Sequence, residues 1–286
     1  MKKKSTFNPM YKPLVSFCIP TLNSARTLER CLKSIRNQNY PSFEILIVDG
    51  YSLDTTLDIA RKYADKIFFC KGPLGMARQI SVEKASGSIL ALFDSDIIIP
   101  YAGWLNLAIK YFSSEEKIST VWPLVIPPSN SSMFAKCYSD FSNVIIFDRM
   151  KKNKGIIGGT NSLFRKSCIL DVGGFDPKIH WGEDLDLAKK LKEKKYKVIF
   201  YKDPLFHDTM RSPSEFLKKQ IVGSKTFIPD DFRLTGLTRS QLIYEHFLIG
   251  FKGMLNGLLR ERSLSWFYYP LLVFIRFAVY SLAQIN

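Results

Sequence analysis

The chain has 286 residues, with 41 Lys and Arg against 26 Asp and Glu, for a formal charge of +15. Its 46% hydrophobic content excludes a disordered polymer, and the lack of periodic or low-complexity runs excludes a fibre. Such a length supports one large packed core or two small ones, and the basic surplus favours an anionic partner.

Val15 to Ile19 is an apolar run stopped at Pro20, which predicts a buried strand. Ser24 offers an N-cap, and Ala25, Leu28, Leu32 and Ile35 form a helical stripe before Pro41. Phe43 to Val48 is a second, β-branched run that ends in Asp49 and Gly50. Asp54 can cap a helix through Tyr63, Ile67 to Phe69 reads as strand, Met76 to Ala85 as helix, and Ile89 to Phe93 as a fourth apolar run. This alternation predicts an α/β fold with a mostly parallel central sheet covered by helices on both sides. Ligands of such sheets sit beyond the carboxyl ends of the strands. That rule singles out Pro20 to Asn23, Asp49 to Asp54 and Asp94 to Asp96.

From Tyr101 to about Arg149, helical stretches alternate with a Pro-rich strand region at Val121 to Pro128. A glycine-rich turn follows at Gly155 to Gly159, then a strand at Ser162 to Arg165, a Gly173-Gly174-Phe175-Asp176 segment, a helix from Asp184 to Lys195 and a strand from Lys197 to Tyr201. The basic run Lys189 to Lys197 reads first as a solvated helix face, because Leu185, Ala188 and Leu191 recur beneath it. No linker interrupts residues 1–220, which are expected to form one domain whose halves divide near residue 100. Residues 221–286 are expected to add an amphipathic and apolar helical extension. There Leu242 to Leu259 is apolar on one face, and Trp266 to Ile285 is nearly all apolar except at Pro270 and Arg276. The second segment is long enough to reach across a bilayer, yet its proline and central arginine make crossing costly. Trp266, Tyr268 and Tyr269, with Arg260 and Arg262, suit a helix lying in the headgroup layer; the alternative is a tail packed onto the main domain.

Cys18, Cys31, Cys70, Cys137 and Cys168 are scattered, odd in number and never spaced as CxxC, so reduced thiols in a cytosolic compartment are expected. No apolar run follows Met1 to Lys4, so no secretory leader is expected. Nucleic acid ranks below phosphorylated ligands and acidic lipid, because no recognition-helix or RNA-binding pattern accompanies the charge.

Asp94 and Asp96 close an apolar strand, where neighbouring carboxylates repel unless a cation or donors neutralise them. A hard divalent ion, Mg²⁺ or Mn²⁺, suits such an oxygen-rich site. Glu183, Asp184 and Asp186 open a helix, where the backbone dipole favours the ionised form, although acids also cap helices for structural reasons. Gly158, Gly159, Thr160 and Asn161 allow close backbone approach to a sugar, or simply form a tight turn. His207 is one of three histidines, and a lone histidine is more often structural than a ligand.

IPTLN (Ile19 to Asn23), VDGYSLDTT (Val48 to Thr56), FDSD (Phe93 to Asp96), GGFD (Gly173 to Asp176) and GED (Gly182 to Asp184) together resemble the family 2 glycosyltransferases in order and spacing. The resemblance covers about Leu14 to His207 and implies a GT-A fold, a nucleotide-sugar donor, a divalent metal and transfer with inversion. It implies a nucleotide-binding half at about 14–100 and an acceptor half at about 101–220. It also implies that Pro20, Thr21, Asn23, Asp49, Arg78 and Asp94 bind the nucleotide, that Asp96 and His207 hold the metal, and that Asp184 is the catalytic base. Gly159, Thr160, Asn161 and Glu183 would form the sugar or acceptor loop. The chain departs from the family pattern in having VDGYS for the commoner VDDGS and Gln79 where many members have Asn.

The expected activity is that of a hexosyltransferase-type enzyme, EC 2.4. The expected donor is a UDP-sugar by default, and the expected acceptor is a lipid-linked or growing glycan. The enzyme is expected to be peripheral or monotopic on the cytoplasmic face of the membrane. A nucleotidyltransferase and a non-catalytic nucleotide-sugar binding module are the alternatives, the former weakened because IPTLN is not a glycine-rich triphosphate loop.

Overall fold

The computed structural model describes residues 11–152, 159–180, 182–226 and 238–283. Strands β1 (Val15–Thr21) and β2 (Phe43–Asp49) pair in parallel, with Val15 opposite Phe43 and Thr21 opposite Asp49. β3 (Lys66–Phe69) lies parallel to β2, and β4 (Ile89–Leu92) parallel to β1. The connections are helices α1 (Ala25–Arg36), α2 (Thr56–Tyr63) and α3 (Leu74–Lys84). Four strands complete the sheet: β5 (Ile97–Ile98), β6 (Ile118–Ile126), β7 (Ser162–Arg165) and β8 (Lys197–His207). The order is β3-β2-β1-β4-β7-β6-β8-β5. The parallel part expected from the alternating pattern is thus β3-β2-β1-β4, whereas β7 pairs antiparallel with both β4 and β6.

Period-two alternation divides the core. Phe17 and Ile19 face one layer with Leu28, Leu32 and Ile35 of α1 and with Trp104 of α4 (Trp104–Ile109). Cys18, Leu46, Leu90 and Leu92 face the other, with Phe164, with Ile169 of α6 (Lys166–Asp171) and with Leu187 of α7 (Glu183–Glu193). Central strands covered on both faces are nearly all apolar, as their sequence shows. Ser24 precedes α1 as expected but makes no side-chain cap; Asp54 Oδ2 instead accepts from Ala25 N at 3.1 Å, while its Oδ1 accepts from Thr56 N at the start of α2. One carboxylate therefore serves two helix starts, because it is longer and charged.

The described residues fall into two units, one built from 11–124 and 159–206, the other from 125–152, 207–226 and 238–283. Residues 125–152 were expected in the acceptor half. They group with the C-terminal helices because α5 (Met133–Lys152) buries Phe134, Cys137, Phe141 and Ile145 against Phe216, Trp266, Tyr269 and Leu272. The other helices of this unit are α8 (Pro213–Thr226), α9 (Arg239–Tyr244), α10 (Gly250–Leu259) and α11 (Tyr269–Ala283), with a π-turn at Glu245–Ile249 between α9 and α10. Arg149 of α5 grips Glu245 of that turn bidentately, at 2.9 Å to Oε1 and 2.7 Å to Oε2. Among the described residues no helix is long and apolar enough to cross a membrane. All five cysteines are buried and free.

Asp140 in α5 gives this unit a pH dependence. Burial pushes its carboxyl up to about 6; Ser265, donating at 3.4 Å, opposes the shift and Glu261 adds to it. A carboxylic acid whose folded pKa lies above its unfolded one loses stability as pH rises through that interval, because the fold resists the charge. Asp140→Asn is therefore expected to stabilise the protein by about 1 kcal/mol at pH 8, a figure discounted for residual solvent screening. At pH 4, where the acid is protonated in the fold, the gain should vanish. Urea unfolding at the two pH values checks this, and an equal gain at both would assign it to something other than ionisation.

Candidate active site

The carboxyl ends of β1, β2 and β4 carry most of the residues singled out from sequence. Asn161 adopts a left-handed backbone with φ 62°, which asparagine tolerates better than most residues. In that conformation its N–H donates to Leu92 O at 2.8 Å, its Oδ1 accepts from Asp94 N at 2.8 Å, and its Nδ2 donates to Asp94 Oδ2 at 3.0 Å. Asp94 is held from the protein side as well. Arg78 of α3, with no solvent exposure, donates from Nη2 to Asp94 Oδ1 at 2.6 Å and from Nη1 to Phe93 O at 3.2 Å. Its Nε lies 3.9 Å from Glu183 Oε1 and has no hydrogen-bond partner.

The same 159–161 stretch reaches the first turn of α7. Asp184 Oδ2 accepts from Thr160 N at 3.2 Å, and Oδ1 accepts from Leu185 N at 2.9 Å. A Cβ on Gly159 would sit 2.8 Å from Asp184 Oδ2, so glycine is what admits the carboxylate here. Lost hydration, reinforced by Asp94, pushes the Asp184 carboxyl above the ordinary carboxylate range, and the two backbone donors only partly offset this. Glu183 is shifted the same way by its burial and then by Asp184, against the pull of Arg78.

Asp94, Asp96 and His207, the last residue of β8, are each half-buried and offer one ligand atom apiece, all within 4.8 Å of one another. An ion with oxygen and nitrogen ligands at about 2.0–2.3 Å requires ligand separations below roughly 4.6 Å, so the trio fits one cation after small side-chain adjustment. The two carboxylates suit Mg²⁺ or Mn²⁺, and the imidazole favours Mn²⁺ of the two.

The loops after β1 and β2 are stitched together. Thr21 and Ser52 hydroxyls both donate to Asp49 Oδ2 at 2.7 Å, and Ser52 N donates to Oδ1 at 2.7 Å. Asn23 N donates to Ser52 Oγ at 2.8 Å, and Asn23 Oδ1 accepts from Leu53 N at 2.8 Å. Pro20 lies within β1, opposite Val48.

The structure thus joins Asp94, Asp96 and His207 in one cluster and joins Asp184, Gly159, Thr160 and Asn161 in another, with Asn161 belonging to both. Asp49, Arg78 and Glu183 are buried, so their side chains shape the surroundings and do not face solvent. Gly158 lies outside the described residues. Ser52 and Tyr51 fall in the Asp49 to Asp54 stretch marked by the strand-end rule, but sequence assigns neither a role; the Ser52 hydroxyl completes the Asp49 network, and the Tyr51 and Phe69 rings lie 5.4 Å apart, each about half exposed at the ends of β2 and β3. The tyrosine in VDGYS, a departure from the family pattern, is the visible signal for this pair. Gln79, the other departure, accepts from Phe175 N at 2.9 Å and ties the GGFD turn to α3.

Glycosyl transferase family 2 matches residues 16–173. The glycosyltransferase AglE of Haloferax volcanii is 29% identical over 217 residues, which are 73% of this chain and 71% of that protein. An uncharacterized glycosyltransferase of Rickettsia typhi is 27% identical over 62% of this chain and 58% of its own length. Among solved structures, the mannosyltransferase PcManGT from Pyrobaculum calidifontis in complex with GDP-Man and Mn²⁺ superposes with a TM-score of 0.65 at 19% identity, covering 99% of this chain and 90% of that one. S. aureus TarS 1–349 in complex with UDP-GlcNAc gives 0.53 at 16% identity over 95% and 91%. At such identities the two structures speak for a shared fold.

Proposed function

The chain belongs to glycosyl transferase family 2 and has its GT-A fold, and from that premise we propose that it moves a sugar with inversion from a nucleotide diphosphate donor to an acceptor hydroxyl. The observation that carries the reading is Asn161, whose side chain holds Asp94 while its neighbour Thr160 holds Asp184. An acid suited to a metal and an acid suited to a base thereby share one short segment of backbone.

Asp94, Asp96 and His207 would hold the divalent ion. When bound, it supplies electrostatic stabilisation of the charge that develops on a departing diphosphate. Asp184 receives the proton of the attacking hydroxyl. Two backbone N–H groups fix its orientation, and its poor hydration makes the carboxylate a stronger base than a solvated one. Thr21, Asn23 and Asp49 keep the nucleotide loops in register, and the Tyr51–Phe69 surface offers a planar base a stacking partner. Arg78 and Glu183 act as positioning residues behind Asp94 and Asp184.

The donor is a hexose on UDP by default; the GDP-Man and UDP-GlcNAc complexes of the two superposed structures support a nucleotide-sugar of either kind. The acceptor is a lipid-linked or growing glycan at the cytosolic membrane face, a reading supported by the exposed apolar residues of the C-terminal helices. A thermal-shift panel of UDP-, GDP- and dTDP-sugars with Mn²⁺ tests donor binding. Release of free nucleoside diphosphate, abolished by EDTA, tests transfer; if no nucleotide-sugar shifts the unfolding temperature, the reading falls.

The metal assignment has its own test, free of turnover. Asp96→Ala and His207→Ala are each expected to weaken Mn²⁺ binding by about tenfold to a hundredfold, as removing even an outer partner of a metal ligand does. Titration followed by electron paramagnetic resonance reads the free ion directly. Unchanged affinity in His207→Ala would remove the histidine from the ligand set.

A further inference from the structure

Helix α10 turns its glycines inward and keeps several of its large apolar residues outward. Its buried positions are Gly250, Gly253 and Gly257, which lie against Phe141, Tyr269, Val144 and Trp266 so closely that a Cβ at Gly257 would come within 1.9 Å of the Trp266 indole nitrogen. On the outer side stand Phe251 at 47%, Leu255 at 40% and Leu259 at 75% exposure. A water-facing helix has the reverse arrangement, and close packing through glycine is the habit of helices in lipid. The exposed apolar residues continue through Phe247, Leu264, Phe267 and Leu271 to Phe274. Beside them an apolar groove of about 530 Å³ runs between α10 and α11, walled by Phe247, Phe251, Met254, Pro270, Phe274 and Phe277.

The arginine that made the last apolar segment look unfit for lipid is turned away from this face. Arg276 Nη1 lies 2.8 Å from His246 Nε2, and its guanidinium stacks over the Phe141 and Phe216 rings. Exposed charges of this unit include Lys252, Arg260 and Arg262 on and just after α10 and Lys218 and Lys219 on α8, against Glu215 and Glu261.

We propose that this face of α10, α11 and the turn between them docks in the plane of an anionic lipid bilayer, with acyl chains entering the α10–α11 groove. The basic excess of these exposed residues is complementary to acidic headgroups and would repel a second copy. No crossing is involved. The docking rests on the surface of this unit alone and stands apart from the transfer chemistry.

The test is cosedimentation of the full chain with vesicles of phosphatidylcholine alone or of equimolar phosphatidylcholine and phosphatidylglycerol, at low and high salt. Binding is expected to the anionic vesicles and to fall as salt rises. Each exposed phenylalanine should be worth roughly tenfold in partitioning. Phe267→Ser with Phe274→Ser should therefore cost about a hundredfold in partitioning, with an unchanged circular dichroism spectrum. Leu107→Ser, at an exposed leucine of α4 in the other unit, should have no effect. Lys252→Glu with Arg260→Glu, which leaves the apolar residues intact, should remove the preference for anionic vesicles. Absence of vesicle binding, equal binding by the double serine variant, or a dimer in solution that this variant dissolves would each overturn the proposal.

Discussion

Asp184→Asn should lower the rate of sugar transfer by about 10²–10⁴-fold, the range for loss of a general base, and leave nucleotide-sugar and Mn²⁺ affinities near wild type. The substitution changes almost nothing except proton affinity. An asparagine has the same length, so the close fit over Gly159 is kept, and its carbonyl oxygen can still accept from Thr160 N. What it cannot do is take the proton of an attacking hydroxyl. Single-turnover measurement with saturating donor separates this from a binding defect. A rate within about tenfold of wild type would remove Asp184 from the role.

The second large effect is on stability. Arg78→Met should destabilise the fold by about 3–5 kcal/mol, the usual cost of leaving buried charge uncompensated. Arg78 is fully buried, holds Asp94 at 2.6 Å and faces the buried Glu183. Methionine fills much of the volume but returns none of the hydrogen bonds to Asp94 or Phe93 O. Lysine should rescue only part of the loss, since a single ammonium cannot span those acceptors as the planar guanidinium does. Glu183 already sits above the ordinary carboxylate range, so proton uptake as pH falls should relieve some of the penalty. Guanidinium unfolding of the three proteins measures this, and a loss below about 1 kcal/mol for Arg78→Met would show that the pair is not what holds the strand ends.

Much of the first half was legible because its signals are local. Apolar runs that end at Asp49 and Asp94 mark buried strands, and the stripes between them mark helices, so the position of these acids at the strand ends followed from periodicity alone, although β1 runs on through Pro20 to Thr21. The convergence of His207 with Asp94 and Asp96 followed from the family resemblance, since 111 positions separate His207 from Asp96 and no local pattern spans that distance. Other features depended on tertiary contacts that one sequence does not encode visibly. The family resemblance alone puts Arg78 near the nucleotide; its burial behind Asp94 depends on how α3 lies against β1 and β4. The family resemblance marks Asp49 as a nucleotide contact, and nothing local in the sequence shows that Thr21 and Ser52 also donate to its oxygens. The grouping of α5 with the C-terminal helices was hidden for a similar reason, since its apolar residues are spread around the helix and give no single face to assign.

The glycines of α10 also reverse the usual expectations about which substitutions this helix withstands. In most surface helices, exchanging a bulky hydrocarbon for a hydroxyl is what breaks the fold, and adding a methyl at a silent position is harmless. Here trimming the outward bulk should cost the fold less than adding one carbon at position 257, which has nowhere to go but into an indole. A mutational scan scored only on solubility would therefore rank the large outer side chains as dispensable.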